Sequence, residues 1–292
     1  MNKEEMCEKA EKLAKDELCN AACLCPKIRA AGACDSCAVL ASLREYYAKE
    51  EIKSFANSSW DEIADIIDGG KTREYFAIGD EREETLYTGE KVVLVILGFN
   101  HDNRVDGKGK ATMSIGLKNM IDGIFEMNTE CTNDGGWEKS RMRTVYMERL
   151  YKLLPEKLRK LIVPVRKLTS KGGCSTDIVR TDDKLFLLSM AEIFSHKAIS
   201  SSDWEHVANN ADVYNEEGEQ YEYFKKLIGD ADPDKSNEHL VKYRGDGTSA
   251  HFWWLRSPYA SYSYTFCCVS SIGSVTYYSA SNSYGVCFGF CL

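Results

Sequence analysis

The first clear periodic pattern of apolar positions begins after Ser59. Ser59 and Glu62 fit the S-x-x-E capping box found at helix starts, and Gly69 supplies a helix end. The apolar positions between them share one helical face and are Trp60, Ile63, Ile66 and Ile67. The pattern predicts an amphipathic helix that opens the main domain, which we place at residues 60–292.

The apolar positions further along predict both strands and helices. Lys91–Phe99 is rich in Val, Leu and Ile and follows a Thr88-Gly89 turn, which is typical of a hairpin. Leu185–Phe194 is a second strand candidate. Within residues 133–167, Asn133-Asp134-Gly135-Gly136 predicts a turn, and helices are predicted after it on the apolar spacing Met142, Val145, Tyr146, Leu150, Leu153 and Leu154.

Two polar stretches are predicted to face water. Residues 100–110 carry Asp102 and Asp106 but lack the terminal Glu of an EF-hand, so we expect a solvated loop and not a calcium site. Residues 200–249 predict an extended polar insertion, in which the acidic residues 209–222 form a solvated face.

The composition changes at the C-terminal end of the sequence. The 36 residues after Arg256 contain no charged side chain, although 28% of the whole chain is charged. Tyr and Ser fill fourteen of the 26 positions from Tyr259 to Tyr284, and eight serines are poor core material. We therefore expect a surface segment. Val286, Phe288 and Phe290 alternate as in a closing strand with one buried face.

A surface rich in Tyr and Ser has the composition of antibody paratopes. Tyr supplies a large amphipathic contact area with few rotatable bonds, and Ser supplies small adaptable hydrogen-bonding groups. The segment is thus predicted to bind a ligand. A polar β-meander with Ser-rich turns is the alternative interpretation.

The N-terminal segment is distinguished by its cysteines, six of which fall within the first 37 residues of a chain with twelve. Residues 1–48 otherwise favour helix, so we predict a small cysteine-rich helical module followed by a linker at residues 49–59. The thiols with metal-like spacing are Cys19, Cys23, Cys25, Cys34 and Cys37. Four of them would complete a structural zinc site, and thiols that are buried or free are the other interpretation.

Charge and hydropathy exclude several classes of partner. The net charge of −8 comes with no long Lys/Arg run, which argues against nucleic acid. The longest apolar run, Val92–Phe99, is too short to span a membrane, so no membrane insertion is expected. No secretion signal is recognisable at the N-terminus, which predicts a protein that is cytoplasmic as synthesised.

Several short motifs carry a family resemblance that covers about residues 59–292. In the tail they are Trp253-Trp254-x-Arg256-Ser257-Pro258 and Ala280-Ser281-Asn282-Ser283-Tyr284-Gly285-Val286-x-Phe288. The upstream motifs are Ser59-Trp60-Asp61-Glu62-Ile63, Gly98-Phe99-Asn100-His101-Asp102, Gly135-Gly136-Trp137 and Tyr221-Glu222-Tyr223-Phe224. With these motifs the chain resembles variable proteins of diversity-generating retroelements, in a family of gut-bacterial and phage proteins.

The resemblance implies an α+β chain with a C-type-lectin-like fold, related in architecture to formylglycine-generating enzymes. In such proteins the C-terminal segment, here about residues 257–292, contacts the ligand and is varied by reverse transcription that mutates adenines. Codons of the form AAY then change at their adenines, and the resulting codons cannot encode Lys, Glu, Gln, Met or Trp. None of these five residues occurs after Arg256.

The resemblance also implies roles for individual residues. The varied, ligand-binding positions would be Tyr259, Ser261, Tyr262, Ser263, Tyr264, Cys268, Ser270, Ser271, Ser274, Thr276, Tyr277 and Tyr278. The fixed scaffold positions would be Trp253, Trp254, Arg256, Gly285, Val286 and Phe288. Arg256 is expected to stack on an aromatic ring or to pair with a buried carboxylate. The ligand would be a protein or a cell-surface molecule, and the carrier a phage particle or the host cell.

Two other functions remain open at this stage. An enzyme of the formylglycine-generating type would need a cysteine pair, for which Cys267-Cys268 or Cys287 with Cys291 are the candidates. A structural phage or cell-surface component would have a tail that is only a packed strand. We favour a binding protein that is not an enzyme, because adjacent cysteines in a strand point to opposite faces and no supporting catalytic residues are recognisable.

Overall fold

The computed structural model describes residues 53–202, 211–245 and 247–292. The predicted cysteine-rich module and its zinc ligands lie outside the described residues. The compact unit starts at Phe55, ahead of Trp60, and runs to Leu292. Phe55 lies within the predicted linker, yet it is fully buried and packs edge-on against the rings of Trp60 and Phe76.

The helices are short. In chain order those described are α1 (Trp60–Asp68), α2 (Thr72–Tyr75), α3 (Gly136–Lys139), α4 (Met147–Leu153), α5 (Glu156–Leu161), α6 (Met190–Ile193), α7 (His196–Ser201), α8 (Ala211–Asn215) and α9 (Glu222–Ile228). A π-helical stretch, Met142–Tyr146, leads into α4, and Glu238–Leu240 forms a 3-10 turn. The predicted capping box is present at α1, where Ser59 and Glu62 exchange hydrogen bonds.

The strands form antiparallel sheets. In chain order they are β1 (Glu81–Thr85), β2 (Lys91–Phe99), β3 (Met113–Leu117), β4 (Phe125–Glu126), β5 (Val165–Ser170), β6 (Ile178–Asp183), β7 (Phe186–Leu187), β8 (Lys242–Tyr243), β9 (Ala250–His251), β10 (Trp253–Pro258), β11 (Thr265–Val269), β12 (Val275–Ser279), β13 (Ser283–Tyr284) and β14 (Phe288–Cys291). The fold class is therefore α+β.

Two sheets organise the unit. The central sheet has the strand order β1-β2-β3-β14-β7, and the C-terminal sheet has the order β10-β11-β12. β14 lies between β3 and β7, and every residue of β14 is buried. The prediction of a closing strand with only one buried face was thus wrong, since both faces of the central sheet are covered at this strand.

The predicted strand Leu185–Phe194 is mostly not a strand. Only Phe186–Leu187 pairs with β14, and Ser189 then starts α6 with a second capping box to Glu192. The S-x-x-E pattern was present in the sequence but was hidden by the surrounding apolar residues. The capping hydrogen bonds of Ser189 favour a helix over the predicted strand at this point.

The polar stretch 200–249 is not a solvated insertion where it is described. Tyr214 and Tyr221 are fully buried, Phe224 and Leu240 are nearly so, and Glu217 in the acidic part is also buried. Asp102 in the first polar loop is buried too, against the prediction, whereas Asp106 is exposed and pairs with Arg104. In both stretches, charged and polar residues separate the buried ones in the sequence, so no apolar pattern indicates the core positions.

Candidate binding surface

The C-terminal sheet presents its last strand to solvent. Within β11 every residue is buried, whereas in β12 Tyr278 is exposed and three further residues are partly exposed. Tyr277 lies opposite Cys267 and Tyr278 lies opposite Phe266. Because neighbouring side chains on a strand point to opposite faces, Tyr277 and Tyr278 belong to two different aromatic groups.

The first group, the tyrosine cluster, comprises Tyr259, Tyr262, Tyr264 and Tyr277. The rings of Tyr259 and Tyr277 are parallel, with centroids 3.9 Å apart, and those of Tyr262 and Tyr264 stack at 5.4 Å. Tyr262 is 41% and Tyr264 44% exposed, so these two rings form the outer part of the cluster. The cluster offers aromatic faces and hydroxyl groups without charge.

The second group, the edge cluster, comprises Phe252, Trp254, Tyr278 and Tyr284. Tyr284 lies at its centre, with ring centroids 4.9 Å from Trp254, 5.1 Å from Tyr278 and 5.3 Å from Phe252. Trp254 is fully buried and Tyr278 is 38% exposed. The cluster therefore connects the core with the surface beside β12.

The structure divides the predicted ligand-binding residues into three sets. The exposed ones are Tyr262, Ser263, Tyr264 and Tyr278. The partly exposed ones are Ser261, Ser271, Ser274, Thr276 and Tyr277. The buried ones are Tyr259, Cys268 and Ser270. The last three are a correction to the predicted surface, because a side chain covered by its own sheet or turn cannot contact a ligand in this conformation.

The loop 259–265, which carries the tyrosine cluster, is held from behind by Asn133. The fully buried Asn133 amide nitrogen Nδ2 donates to the main-chain oxygens of Thr265 at 2.7 Å, Tyr262 at 2.8 Å and Tyr259 at 3.3 Å. The backbone N–H of Asn133 donates to the Ser263 oxygen at 2.8 Å. All of these bonds reach backbone atoms of the loop, so they do not depend on its side chains.

The position of Asn133 is itself fixed by a glycine turn. The Gly173 N–H donates to Asn133 Oδ1 at 2.8 Å. Gly172 has φ of 73°, and a Cβ there would lie 1.9 Å from the Asn133 carbonyl oxygen. Only glycine permits this approach, so the 172–173 turn supports the loop indirectly.

The predicted scaffold residues are all buried: Trp253, Trp254, Arg256, Gly285, Val286 and Phe288. The indole N–H of Trp253 donates to the Leu240 oxygen and that of Trp254 to the Phe125 oxygen. A Cβ at Gly285 would lie 1.9 Å from Met120 Sδ. These contacts fix the start of β10 and the adjacent Gly285 against the rest of the unit.

Arg256 pairs with a buried carboxylate, the second of the two arrangements expected for it. Its guanidinium makes a bidentate pair with Glu192, at 2.5 Å and 2.9 Å, and also donates to the main-chain oxygens of Leu187 and Glu217. Burial opposes ionisation, but the charges of Arg256 and Lys167 hold the pKa of Glu192 below its ordinary value. The pair attaches β10 to α6.

Lys167 extends this pair into a buried polar cluster. Its ammonium donates to Glu192 at 2.8 Å, to the Tyr221 hydroxyl at 2.9 Å and to Asp102. Despite burial, Lys167 lowers the pKa of Asp102, which also accepts a hydrogen bond from Ser114. The two cations and two carboxylates balance, as buried ion pairs require.

Glu217 adds a third carboxyl group to the cluster. Its carboxyl group contacts the Ser257 hydroxyl and accepts from the Ser170 N–H at 3.1 Å. Burial raises its pKa to about 7, against the opposing effects of Arg256 and Ser257. The group is therefore largely protonated below neutral pH, and the cluster is then electrically neutral.

The four tail cysteines that an enzyme would need are all buried. Burial raises the pKa of Cys267, Cys268 and Cys291, and it raises that of Cys287 to about 11. Because the thiolate is the nucleophile and the metal ligand, these thiols are weakly reactive at neutral pH.

A protein-family comparison matches residues 115–292 to a domain of unknown function, DUF6273. The chain belongs to the DUF6273 family. No curated protein and no solved structure matches it. The DUF6273 match contains the C-terminal sheet, Asn133 and all members of the polar cluster except Asp102 and Ser114. The candidate surface and most of its support thus lie within the family domain.

Sequence reasoning missed the DUF6273 residues that support the surface from behind. Asn133 was assigned to a turn, Lys167 and Glu192 were not singled out, and Glu217 was placed on a solvated face. A partial signal existed for Glu217, because the aromatic residues Tyr214, Tyr221 and Phe224 on either side of it indicate a core segment, although the chain between α8 and α9 is not helical. No comparable signal identifies Asn133, whose partners in the loop 259–265 are more than 100 residues away.

Two further findings concern membrane-spanning helices and metal-binding groups. In the stretch 53–292, apart from its undescribed residues, no helix is long and apolar enough to cross a membrane. The same residues bring together no group of three or more metal-binding side chains.

Proposed function

We propose that this protein binds a ligand through the C-terminal sheet and its loops, and that this surface is diversified as in variable proteins of diversity-generating retroelements. One observation carries the proposal: Asn133 holds the loop 259–265 entirely through main-chain atoms. Side chains at positions 261–264 can therefore change while the bonds that position the loop remain. This separation is what a variable binding surface requires.

The chemistry of the surface supports a binding role and not catalysis. Tyr262, Tyr264 and Tyr278 offer aromatic area with few rotatable bonds, and the neighbouring serines offer adaptable hydrogen bonds. The absence of charge after Arg256 suits a protein or cell-surface ligand recognised by shape and aromatic contact. The finer fold assignment, a C-type-lectin-like domain, rests on the motif resemblance and is compatible with the α+β architecture.

The proposal is tested by comparing the sequence of the gene between isolates. Sequencing it from many isolates should reveal substitutions concentrated at adenine-containing codons of the exposed and partly exposed positions between 261 and 278. Asn133, Trp253, Trp254 and Arg256 should be unchanged. A reverse-transcriptase gene and a near-copy of the tail's coding sequence should lie nearby. Substitutions spread evenly over residues 55–292 would refute diversification.

A further inference from the structure

A second candidate site lies away from the C-terminal surface, in a cavity of about 300 Å³ beside the central sheet. Its walls come from β2, β14, α9 and the segment 238–243, and their polarity is mixed, with apolar residues such as Leu227 and Val241 beside Lys118 and Glu238. A volume at the small end of the range for ligand pockets suits a small molecule.

The cavity contains one buried cation, Lys242, which is only 8% exposed. Its Nζ donates to the main-chain oxygens of Leu117 at 2.8 Å and Lys118 at 2.6 Å. An ammonium has three N–H donors, so one remains after these two bonds. The Nζ also lies 5.2 Å from the centre of the Trp253 ring.

Lys242 differs from the other buried cations in its partners. Lys167 and Arg256 both have carboxylates within 2.9 Å. Over the described ranges, no carboxylate lies within 4.0 Å of the Lys242 Nζ. The nearby Cys287 supplies no counter-charge at neutral pH, because burial raises its pKa to about 11.

An ammonium in this position is electrostatically incomplete. Burial lowers the pKa of Lys242, since carbonyl dipoles replace hydration only in part. A buried charge is expected to have an opposite charge beside it, and an anion entering the cavity would supply one. A buried cation in a cavity whose lining also includes apolar residues suits a ligand with one acidic group and a short apolar body.

We propose that this cavity binds an apolar monocarboxylate, such as a medium-chain fatty acid, whose carboxylate pairs with Lys242. The remaining Nζ–H donates to a carboxylate oxygen, and the hydrocarbon chain packs against the partly exposed lining residues Tyr223, Leu227 and Val241. Lys118, Glu238 and His239 also line the cavity, so charges of both signs are present besides Lys242.

Calorimetric titration of the full chain with sodium octanoate at neutral pH tests the proposal, with octanol and octylamine as ligands of matched length. Octanoate should bind at least tenfold more tightly than either. Equal binding of octanol would overturn the carboxylate assignment.

Two variants locate the site. Lys242→Met should weaken octanoate binding at least tenfold, whereas Lys118→Met, which removes a more exposed cation lining the same cavity, should change it less than threefold. Leu227→Trp fills the cavity while leaving Lys242 in place, and it should also abolish binding. The Leu227 variant decides the matter if Lys242→Met does not fold. Unchanged affinity in either Lys242→Met or Leu227→Trp would overturn the proposal.

Discussion

At the residue scale, Asn133 positions a loop more than 120 residues further along the chain. Its amide has both donor hydrogens and its oxygen in use, and it is fully buried. An alanine would leave several buried main-chain groups without partners, each at a cost of roughly 1–3 kcal/mol. Side-chain identity is therefore more constrained at Asn133 than anywhere in the loop it supports.

We expect Asn133→Ala to lower the free energy of unfolding by about 3 kcal/mol, and Asn133→Asp by at least as much, because a carboxylate cannot donate to the three carbonyls. Urea denaturation measures the change. Asn282→Ala, at an exposed site of the same sheet region, is the control and should shift stability by only about 0.5 kcal/mol. Equal effects of the two alanines would mean that Asn133 does not hold the loop.

Glu217 should make stability depend on pH. Its pKa rises from an ordinary value of 4.5 to about 7 on folding, so the folded state binds the proton more tightly than the unfolded state. The associated stability is complete below pH 4.5 and is lost as the pH rises through about 7. The shift corresponds to about 3 kcal/mol, since one pKa unit is about 1.4 kcal/mol.

Glu217→Gln copies the protonated form and should remove this dependence. Relative to the wild type, the variant should gain about 2 kcal/mol between about pH 5 and pH 8.5, measured by urea denaturation at both pH values. His101, whose pKa is lowered by burial, titrates with the opposite sign, but it is common to both proteins and cancels in the difference. A difference that stays constant across the range would show that Glu217 is ionised throughout.

At the element scale, exposed side chains and buried core side chains occupy different positions in and around the C-terminal sheet. Replacing Tyr262, Tyr264 and Tyr278 together by Ser should cost only about 0.5 kcal/mol per site, because each side chain is substantially exposed. Trp254→Ala and Phe288→Ala should each cost roughly 3–5 kcal/mol, because each leaves a cavity in the core. Thermal melts of the three proteins provide the comparison.

Tyr277→Ser serves as an internal control within the same sheet. Its ring stacks on the buried Tyr259, so we expect a loss between those of the two groups. If the triple tyrosine variant melted as early as Trp254→Ala, the sheet would be core throughout and the proposed binding surface would be wrong.

The elements themselves were only partly predictable from the sequence. Strong local signals, such as the capping box at Ser59 and the apolar run of β2, gave the correct structure. The signals failed where tertiary contacts decide, as in β14, whose residues are buried on both faces in the core of the folded unit. The expectation of a surface segment was wrong for β11, whose residues are all buried, whereas β12 is partly exposed.

At the scale of the whole molecule, residues 55–292 form one compact unit with a continuous hydrophobic core. A fragment starting at Lys53 should therefore unfold cooperatively. Its unfolding should follow a single transition by both circular dichroism and tryptophan fluorescence, the agreement expected of two-state behaviour. Transitions that differ between the two probes would show that the unit needs residues 1–52.

The predicted zinc site can be tested by comparing the full chain with the fragment that starts at Lys53. If four of Cys19, Cys23, Cys25, Cys34 and Cys37 bind zinc, the full chain should contain about one equivalent, and a chelator should lower its stability. The fragment from Lys53 should contain no zinc and should not respond. Less than about 0.2 equivalents in the full chain would exclude the site.

The strand order of the central sheet has a consequence for biosynthesis. β14 follows the Tyr/Ser-rich segment in the chain yet pairs with β3 and β7, which precede it. The sheet cannot close until the ribosome has translated the whole segment, so a premature stop or frameshift there leaves a gap between two buried strands. Such products would expose apolar surface to chaperones and proteases. Translation through the segment is thereby coupled to folding, and only chains with an intact reading frame persist.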